Sequence, residues 1–484
     1  MGAAASEREK DGLRQVSECV YELSADHRAD MRVPVRVFAD EEILAQIRGD
    51  QSITQLTNVS TLPGVVGAAM GMPDMHEGYG FPVGGVAATL LPDGVISPGG
   101  IGFDINCGAR LLHTPWSLKE MRPRITEIVH ELSRSVPTGY GRGGHLPLGG
   151  DDLERVLNEG APYLVRDRGQ GLEEDLERIE SGGVLAGANA RRVSDRAKQR
   201  GRDQLGTLGG GNHFLEVQTV DRIFDDAAAK ALGLHEGQIT VLIHSGSRGM
   251  GHQVCTDFVR LMDEASARFG IEVPDRQLAC APLSSPEGQW YFEAMCAAAN
   301  FGFSNRQALT HRVRNVFARL LGCSHADLKL VYDVAHNNAK IEEHGGRKLC
   351  VHRKGATRAF GPSSPELPAS LRGVGQPVLI PGSMGTASFV LAGNDASMEL
   401  SLGSACHGAG RAMSRGAAKR MVTGKSVRKQ LEEQGIVVRC ASASELAEEA
   451  PIAYKDVDRV VDVVHRAGIA RKVARLRPLG VLKG

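Results

Sequence analysis

The sequence predicts one continuous domain of the α+β class. Apolar runs of strand length alternate with helical patterns from Val33 onward, and Gly and Pro separate them. No tandem repeat, coiled-coil register or long low-complexity linker divides the chain. The 484 residues, 42% of them hydrophobic, are enough to form a large buried core.

The individual elements follow from the length and period of each apolar run. Short runs predict strands around residues 33–38, 83–91, 109–113, 239–244, 328–335 and 378–380. Longer amphipathic patterns predict helices around residues 118–135, 248–269, 290–321, 405–420 and 457–475.

The domain is expected to extend over residues 14–484. Residues 1–13 are small and polar and are predicted to form a disordered leader. Residues 141–202, rich in Gly, Arg, Asp and Glu, are predicted to form a helical and loop insertion, for which a lid is one interpretation. Residues 1–6 match the short N-myristoylation pattern, and an unmodified polar leader is the other interpretation.

Composition limits the class of protein and its compartment. Lys plus Arg and Asp plus Glu number 57 each, so a nucleic-acid surface would have to be local. The basic tail from Arg459 to Lys483 is either such a surface or a solvated helix face. Nine scattered cysteines without a C-x-x-C pair fit a reducing compartment, and no apolar run is long enough to cross a bilayer. A soluble cytoplasmic protein is predicted.

Four glycine-rich segments gather side chains that bind metal or phosphate. They cover residues 99–108, 209–216, 244–249 and 404–411. Glycine lets the backbone approach a ligand closely, so His, Asp and Cys held among glycines indicate a binding site.

Five of these side chains are candidate metal ligands. They are Asp104, Cys107, His213, His244 and His336. The mixture suits Zn, Mn, Fe or Co, and the sulfur favours Zn. The alternative for each residue alone is structural, as a hydrogen-bonded histidine or a cysteine that acts as a small hydrophobe.

The segment around His407 is a candidate phosphate site. If a helix begins there, its free amides favour phosphate near His407, Gly408 and Ala409, and Arg411 and Arg415 lie four apart on one face. A neutral imidazole at His407 can then act as a nucleophile on phosphorus. The alternative is an ordinary glycine-rich helix entry with surface arginines. No P-loop or dinucleotide signature is present.

Taken together, the motifs resemble the RtcB family of RNA ligases, which join RNA ends using GTP and manganese. The resemblance rests on residues 72–82, the Asp104 and Cys107 motif, residues 206–213, residues 244–249 and the His407 motif. The sequence motif around Cys107 and the length of the chain are similar to those of archaeal and eukaryotic members. The resemblance implies one large domain with mixed sheets, surrounding helices and a central active-site cleft.

The resemblance also implies a mechanism. Asp104, Cys107, His213, His244 and His336 would hold two Mn ions, with Cys107 bridging them. His407 would attack the α-phosphate of GTP and release pyrophosphate. GMP would pass to an RNA 3′-phosphate, after hydrolysis of a 2′,3′-cyclic phosphate where one is present, and a 5′-hydroxyl would displace it. This chemistry serves tRNA splicing or RNA repair.

Substrate contacts are carried over in the same way. The implied GTP contacts are Asn212, His213, Phe214, Leu215, Glu216, His336, Asn337, Pro381, Gly382, Ser383, Met384, Ser388, His407, Gly408, Ala409, Gly410 and Lys483. The candidate RNA phosphate contacts are Arg248, Lys354, Arg411 and Arg415.

Two other functions are compatible with the same residues. A two-metal phosphoesterase would also need paired cations and phosphate-binding loops, and a non-catalytic RNA-end-binding protein would keep the pocket without turnover. Archease is an expected candidate partner beside RNA, and the sequence leaves the oligomeric state and the physiological RNA open.

Overall fold

The computed structural model describes residues 12–139, 143–144, 146, 148–440 and 442–484. The myristoylation pattern and nearly all of the predicted leader lie outside these residues. The strands are β1 Arg14–Ser17, β2 Val20–Leu23, β3 Val35–Phe38, β4 Val65–His76, β5 Val83–Leu90, β6 Val95–Ile96, β7 Gly108–Ser117, β8 Phe214–Ile223, β9 Gln238–Ser245, β10 Ala281–Pro282, β11 Lys329–Ala335, β12 Asn337–His344, β13 Arg347–Lys354, β14 Ala356–Arg358, β15 Pro377–Ile380, β16 Ser388–Gly393, β17 Ser404–Cys406, β18 Val437–Cys440 and β19 Ala470–Lys483.

Helices surround and connect these strands. They are α1 Glu41–Ile47, α2 Ser52–Val59, α3 Leu118–Met121, α4 Ile125–Ser135, α5 Gly150–Glu159, α6 Ala161–Arg166, α7 Glu173–Glu177, α8 Asp195–Arg202, α9 Asp226–Ala231, α10 Arg248–Arg268, α11 Pro286–Leu321, α12 Ser397–Ser401, α13 Arg415–Met421, α14 Gly424–Glu433, α15 Ala443–Glu448 and α16 Val457–Arg466. None of the described helices combines the length and apolarity that a bilayer crossing requires.

Two large mixed sheets carry the fold. One has the order β1-β2-β3-β4-β5-β13-β12, and the other has the order β11-β7-β9-β8-β19-β16-β15 with β18 paired to β19. The β3–β4 and β18–β19 pairs are parallel, while their neighbours in both sheets are antiparallel. The predicted α+β class in a single large domain is confirmed.

Helix α11 organises the core beside the second sheet. Ser285 caps it by accepting a hydrogen bond from the Gly288 amide at 3.1 Å, Pro286 occupies its first turn, and Gly322 ends it in the left-handed conformation. Most of its faces are buried because α4, α5, α6, α10 and strand β9 pack around it. A helix buried on nearly all sides can place polar groups from the interior against the strands.

Strand ends meet at one edge of the second sheet. Gly108 of β7 lies opposite Ser245 of β9 and Ala335 of β11, and His244 lies opposite Phe214 of β8. The register therefore brings together the ligand candidates that adjoin these residues, although they are far apart in sequence.

Two predicted helices are wrong over part of their length. Within 405–420, Cys406 ends strand β17, the chain then runs as a loop, and α13 begins only at Arg415. Gly410 adopts a φ of 73° in this loop, and a Cβ there would lie 2.1 Å from the Asp74 carbonyl oxygen, so the loop is shaped by a distant strand. Arg411 and Arg415 therefore do not share a helix face.

The predicted helix 457–475 ends at Arg466, and residues 470–483 form strand β19 in the interior of the sheet. Pairing on both sides overrides the local helical pattern. Its basic side chains meet carboxylates, with Arg471 beside Asp225 at 2.8 Å and Arg475 beside Asp221 at 3.1 Å. The interpretation of the whole tail as a solvated helix face is thus wrong.

Other predictions need smaller adjustments. Pro123 lies in a 3-10 turn that divides the predicted helix 118–135 into α3 and α4. Residues 148–202 contain helices α5 to α8, and the interpretation of 141–202 as an insertion stays a prediction. The sequence did not reveal β4, because Gly67, Gly71 and Pro73 interrupt its pattern.

Candidate active site

The five predicted metal ligands converge on the sulfur of Cys107. The Cys107 Sγ lies 3.3 Å from Nε2 of both His213 and His244. The Nε2 of His244 lies 3.3 Å from that of His336, and Asp104 Oδ2 lies 2.8 Å from His213 Nε2. The donors form two sets, Cys107 with His244 and His336, and Asp104 with Cys107 and His213, each with ligand atoms within 4.8 Å of one another. Cys107 belongs to both.

Local backbone features make this convergence possible. Three of the candidates, Cys107, His213 and His336, directly adjoin the end of a strand. His244 is the penultimate residue of β9, so the sheet register fixes the separation of all four. A Cβ at position 246 would lie 2.5 Å from Asp104 Oδ1, so only glycine there lets the carboxylate approach.

Burial shapes the electrostatics of the cluster. Burial raises the pKa of the Cys107 thiol well above its ordinary value and lowers the pKa values of His244 and His336 well below theirs. Burial alone would raise the pKa of Asp104, but His213 brings it down to about 2. A half-buried carboxylate beside buried neutral donors is an environment that attracts a cation, whose field would also favour the thiolate.

His407 lies against this cluster. Its ring centroid is 4.8 Å from that of His336, and its Nδ1 is 2.6 Å from Asp74 Oδ2. The same carboxylate oxygen accepts hydrogen bonds from the backbone amides of His407 at 3.0 Å and Gly408 at 3.2 Å. Asp74 therefore fixes the ring orientation and holds the proton on Nδ1, which leaves the Nε2 lone pair free.

A cavity of about 230 Å³ opens beside His407 and the candidate metal cluster. Many of the predicted substrate residues line it, namely Asn212, Phe214, His336, Asn337, Lys354, Pro381, Gly382, Ser383, Met384, His407, Gly408, Ala409, Gly410, Arg411, Arg415 and Lys483. Predicted residues outside this wall are His213, Leu215, Glu216, Arg248 and Ser388.

Glu216 and Ser388 form a polar layer behind the wall. Gln218 Nε2 donates to Glu216 Oε2 at 2.7 Å and to Ser388 Oγ at 3.0 Å, and the Gly382 amide donates to the same hydroxyl at 3.2 Å. Burial raises the pKa of Glu216 to about 8, and its Oε1 has no hydrogen-bond partner in the described part of the chain. Lys483 is also buried, which lowers its pKa, and its Nζ lies 5.6 Å from the Phe214 ring centroid.

The two arginines in the wall are tied to one buried acid. Glu449 Oε2 lies 3.3 Å from Arg411 Nη1, and its Oε1 lies 3.1 Å from Arg415 Nε. The Tyr454 hydroxyl also donates to Glu449. Burial favours the protonated form of Glu449, but Lys483, Tyr454 and the arginines lower its pKa below the ordinary value. Glu449 thus fixes the positions of both arginines in the cavity wall.

Lys354 and Arg248 have internal contacts. The Lys354 ammonium donates to the carbonyls of Tyr79, Phe81 at 3.0 Å and Gly99 at 3.4 Å. Arg248 Nη1 donates to His213 Nδ1 at 3.1 Å. Both arrangements hold loops or ligands in place, and direct contact of either residue with RNA stays a prediction.

Sequence reasoning missed three residues that support the site. Asp74 lies within a motif that we recognised, but its role depends on a loop more than 300 positions away. Lys455 Nζ donates to the Pro73 carbonyl at 3.4 Å and the Met75 carbonyl at 2.5 Å, on either side of Asp74. Glu449 carries no local signal, because its partners come from separate segments.

Comparisons with known proteins show the family of this chain. The model of the RtcB family, described as tRNA-splicing ligase RtcB, matches residues 55–484. The chain is 52% identical over 478 residues to the tRNA-splicing ligase RtcB of Archaeoglobus fulgidus, which covers 98% of this chain and 99% of that protein. It is also 52% identical over 483 residues to the protein of the same name from Thermococcus kodakarensis, with 99% and 100% coverage.

A bacterial relative matches a smaller share of the chain. The RNA-splicing ligase RtcB of Mycobacterium tuberculosis is 55% identical over 437 residues, which is 89% of this chain and 100% of that protein. The archaeal relatives match nearly the whole chain, as the predicted archaeal-like subgroup requires. By the family match and these relatives, the chain belongs to the RtcB family.

Proposed function

We propose that this protein is a GTP- and Mn-dependent ligase that joins RNA 3′-phosphate or 2′,3′-cyclic phosphate ends to 5′-hydroxyl ends. The observation that carries the proposal is the membership of Cys107 in both donor sets, with the His407 ring 4.8 Å from the His336 ring. The names of the archaeal relatives favour tRNA splicing as the setting. RNA repair would use the same ends.

The residues present fit a pair of divalent cations. Three imidazoles, a carboxylate and a thiolate are suitable ligands, and Asp104 Oδ1 is buried without a hydrogen-bond partner in the described part of the chain. Bound Mn would supply the positive charge that polarises the phosphates and stabilises their developing charge.

His407 would act as the nucleophile. Because Asp74 holds the proton on Nδ1, Nε2 can attack the α-phosphorus of GTP without a base. A P–N bond forms as the P–O bond to pyrophosphate breaks. An oxygen of the RNA 3′-phosphate then takes the GMP from His407. The 5′-hydroxyl of the second RNA finally attacks the activated phosphate, loses its proton and displaces GMP.

A ligation assay tests the proposal. Purified protein, GTP and Mn are incubated with one RNA that ends in a 3′-phosphate and another that begins with a 5′-hydroxyl. We expect a joined RNA and, with labelled GTP alone, an acid-labile protein adduct. Hydrolysed ends without an adduct would identify a phosphoesterase, and RNA binding without any turnover would identify an end-binding protein. Adding archease would test whether a partner increases turnover.

Replacing Asp74 with asparagine is expected to slow guanylylation. The amide keeps the shape of the buried side chain but loses the charge that holds the Nδ1 proton and orients the ring. We expect the rate of adduct formation to fall by about 100-fold or more, with little change in the KM for GTP. Single-turnover kinetics with labelled GTP measure both quantities. A normal rate in a folded Asp74→Asn protein would contradict this role.

GTP binding is expected to release a proton through Glu216. Since its pKa is raised to about 8, the acid is mostly protonated at pH 7 in the free protein. Guanine offers N1–H and N2–H donors, which would favour the carboxylate and lower its pKa on binding. Calorimetry at pH 7 in buffers of different ionisation enthalpy, with a His407→Ala protein to prevent chemistry, should show release of about one proton. Adding Glu216→Gln should abolish the release, and an equal release in that variant would exclude Glu216.

A further inference from the structure

A strongly basic segment lies outside the reaction described above. Residues 190–202 contain six basic side chains and one acidic side chain, Asp195. The six are Arg191, Arg192, Arg196, Lys198, Arg200 and Arg202. Arg192 pairs with Glu293 at 2.9 Å and Lys198 with Glu154 at 3.3 Å. The other four are exposed and have no carboxylate partner among the described residues. We call these four the basic ridge.

Helix α8 brings this ridge to the first turns of α10. The small residues Ala197 and Gly201 form its buried face, and a Cβ at position 201 would lie 2.6 Å from Met250 Cε. Arg200 Nη1 donates to Gln253 Oε1 at 2.9 Å. Because α10 begins four residues after the ligand candidate His244, which lies in β9, the ridge lies beside the reaction centre rather than on a remote face.

Aromatic rings connect the ridge to the cavity. Phe103 directly precedes Asp104 and lines the cavity wall. Its ring centroid is 5.0 Å from that of His252 on α10 and 5.3 Å from that of Tyr79. Arg200 donates to Gln253, the residue after His252, so the His252 ring lies between Phe103 and the ridge. Burial and the nearby charge of Arg200 both lower the pKa of His252. The order from inside to outside is therefore Phe103, His252 and Arg200.

We propose that Phe103, His252 and the basic ridge form the path along which a single RNA strand leaves the reaction centre. This inference rests on the proposed function. Aromatic faces stack on any base, and guanidinium groups track the phosphates, which is the combination that single-stranded RNA requires. The unpaired ridge charges would meet the strand where it emerges past His252.

The test separates RNA binding from chemistry at His407. Binding of a labelled single-stranded RNA of about 12 nucleotides is measured by anisotropy between about 50 and 200 mM salt, and guanylylation is measured with GTP alone. We expect Arg196→Gln/Arg200→Gln to weaken binding and to reduce the slope of log K against log salt by about 1.4, since each lost phosphate contact contributes about 0.7. His252→Ala should weaken binding by about 5-fold to 150-fold through lost stacking.

Arg347→Gln/Lys348→Gln is the matched control. These two residues begin β13, at the turn of the β12–β13 hairpin. Asn337, which lines the cavity, lies at the other end of that hairpin, about seven strand residues or roughly 23 Å away. We expect this double variant to bind RNA like the unmodified protein, and all variants to be guanylylated at the unmodified rate.

Either of two results would overturn the inference. One is that the ridge variant binds RNA with the same affinity and the same salt slope as the control variant. The other is a parallel loss of guanylylation, which would mean that the segment supports the fold. If the unmodified protein binds RNA through the ridge but forms no adduct with GTP, the proposed function fails and the RNA path stands. RNAs extended on the 3′-phosphate side or the 5′-hydroxyl side identify the strand that uses it.

Discussion

Replacing His407 with alanine is expected to abolish both adduct formation with GTP and joining of RNA ends. The ring lies 4.8 Å from the His336 ring, and the bond from Nδ1 to Asp74 orients its Nε2 as the candidate attacking atom. No other described histidine in the cavity wall is oriented by a carboxylate in this way. His336 and His244 direct their Nε2 atoms at the ligand cluster, and the Nδ1 of His76 contacts the backbone carbonyl of Asp74 at 3.0 Å. The nucleophile therefore has no substitute, and we expect a loss of at least about 10⁴-fold.

The control for this change is His130→Ala, which removes an exposed histidine from α4. It should leave adduct formation and ligation unchanged. The His407→Ala protein should keep its metal content and its RNA affinity, because His407 is not one of the candidate metal ligands. Adduct formed by the His407→Ala protein at the unmodified rate would show that another residue carries GMP.

Replacing Cys107 with alanine is expected to remove the metal pair. The sulfur is the ligand atom that belongs to both donor sets, so its loss leaves His244 with His336 on one side and Asp104 with His213 on the other. Each remaining pair lacks the thiolate, and two ligands hold a divalent cation poorly. We expect affinity for both ions to fall by at least about 100-fold, with loss of guanylylation.

Metal stoichiometry after dialysis, measured by elemental analysis, checks this prediction directly and does not depend on activity. Cys350→Ala is the matched control. Cys350 is equally buried, but it lies in the middle of β13 opposite Ile341 and Thr89 rather than beside the candidate metal ligands. Without metal, Cys107→Ala should change the free energy of unfolding by no more than about 1 kcal/mol, since the swap is small. Retention of both ions by Cys107→Ala would contradict the bridging role.

The sequence revealed the candidate metal ligands because each carries a local signal. The apolar run Val241–Ile243 leads directly into His244, and a similar run leads into His336, so strand ends were predictable at both positions. Asp104 and Cys107 stand in a glycine-rich loop. Their convergence was inferred from the family resemblance, and it depends on strand register between β7, β8, β9 and β11.

The support for His407 was not visible in the sequence. Asp74 contacts His407 from strand β4, whose glycines and proline interrupt the alternating pattern of a strand. Glu449 binds Arg411 and Arg415 from a different segment of the chain. The segment after Cys406 looks helical because Ala and Arg favour helices locally. The pairing of Cys406 with Ala356 and the close approach of Gly410 to Asp74 hold it as a loop until Arg415.

By itself, then, the amino-acid order determined the fold class, the candidate ligand types and His407 as the candidate nucleophile, because strand periodicity, glycine placement and side-chain chemistry are encoded locally. Tertiary structure decided which carboxylate orients His407, which donors share Cys107, and that the basic tail is an internal strand. These depend on contacts between segments hundreds of residues apart, whose free energies exceed local propensity and leave no trace in any short window.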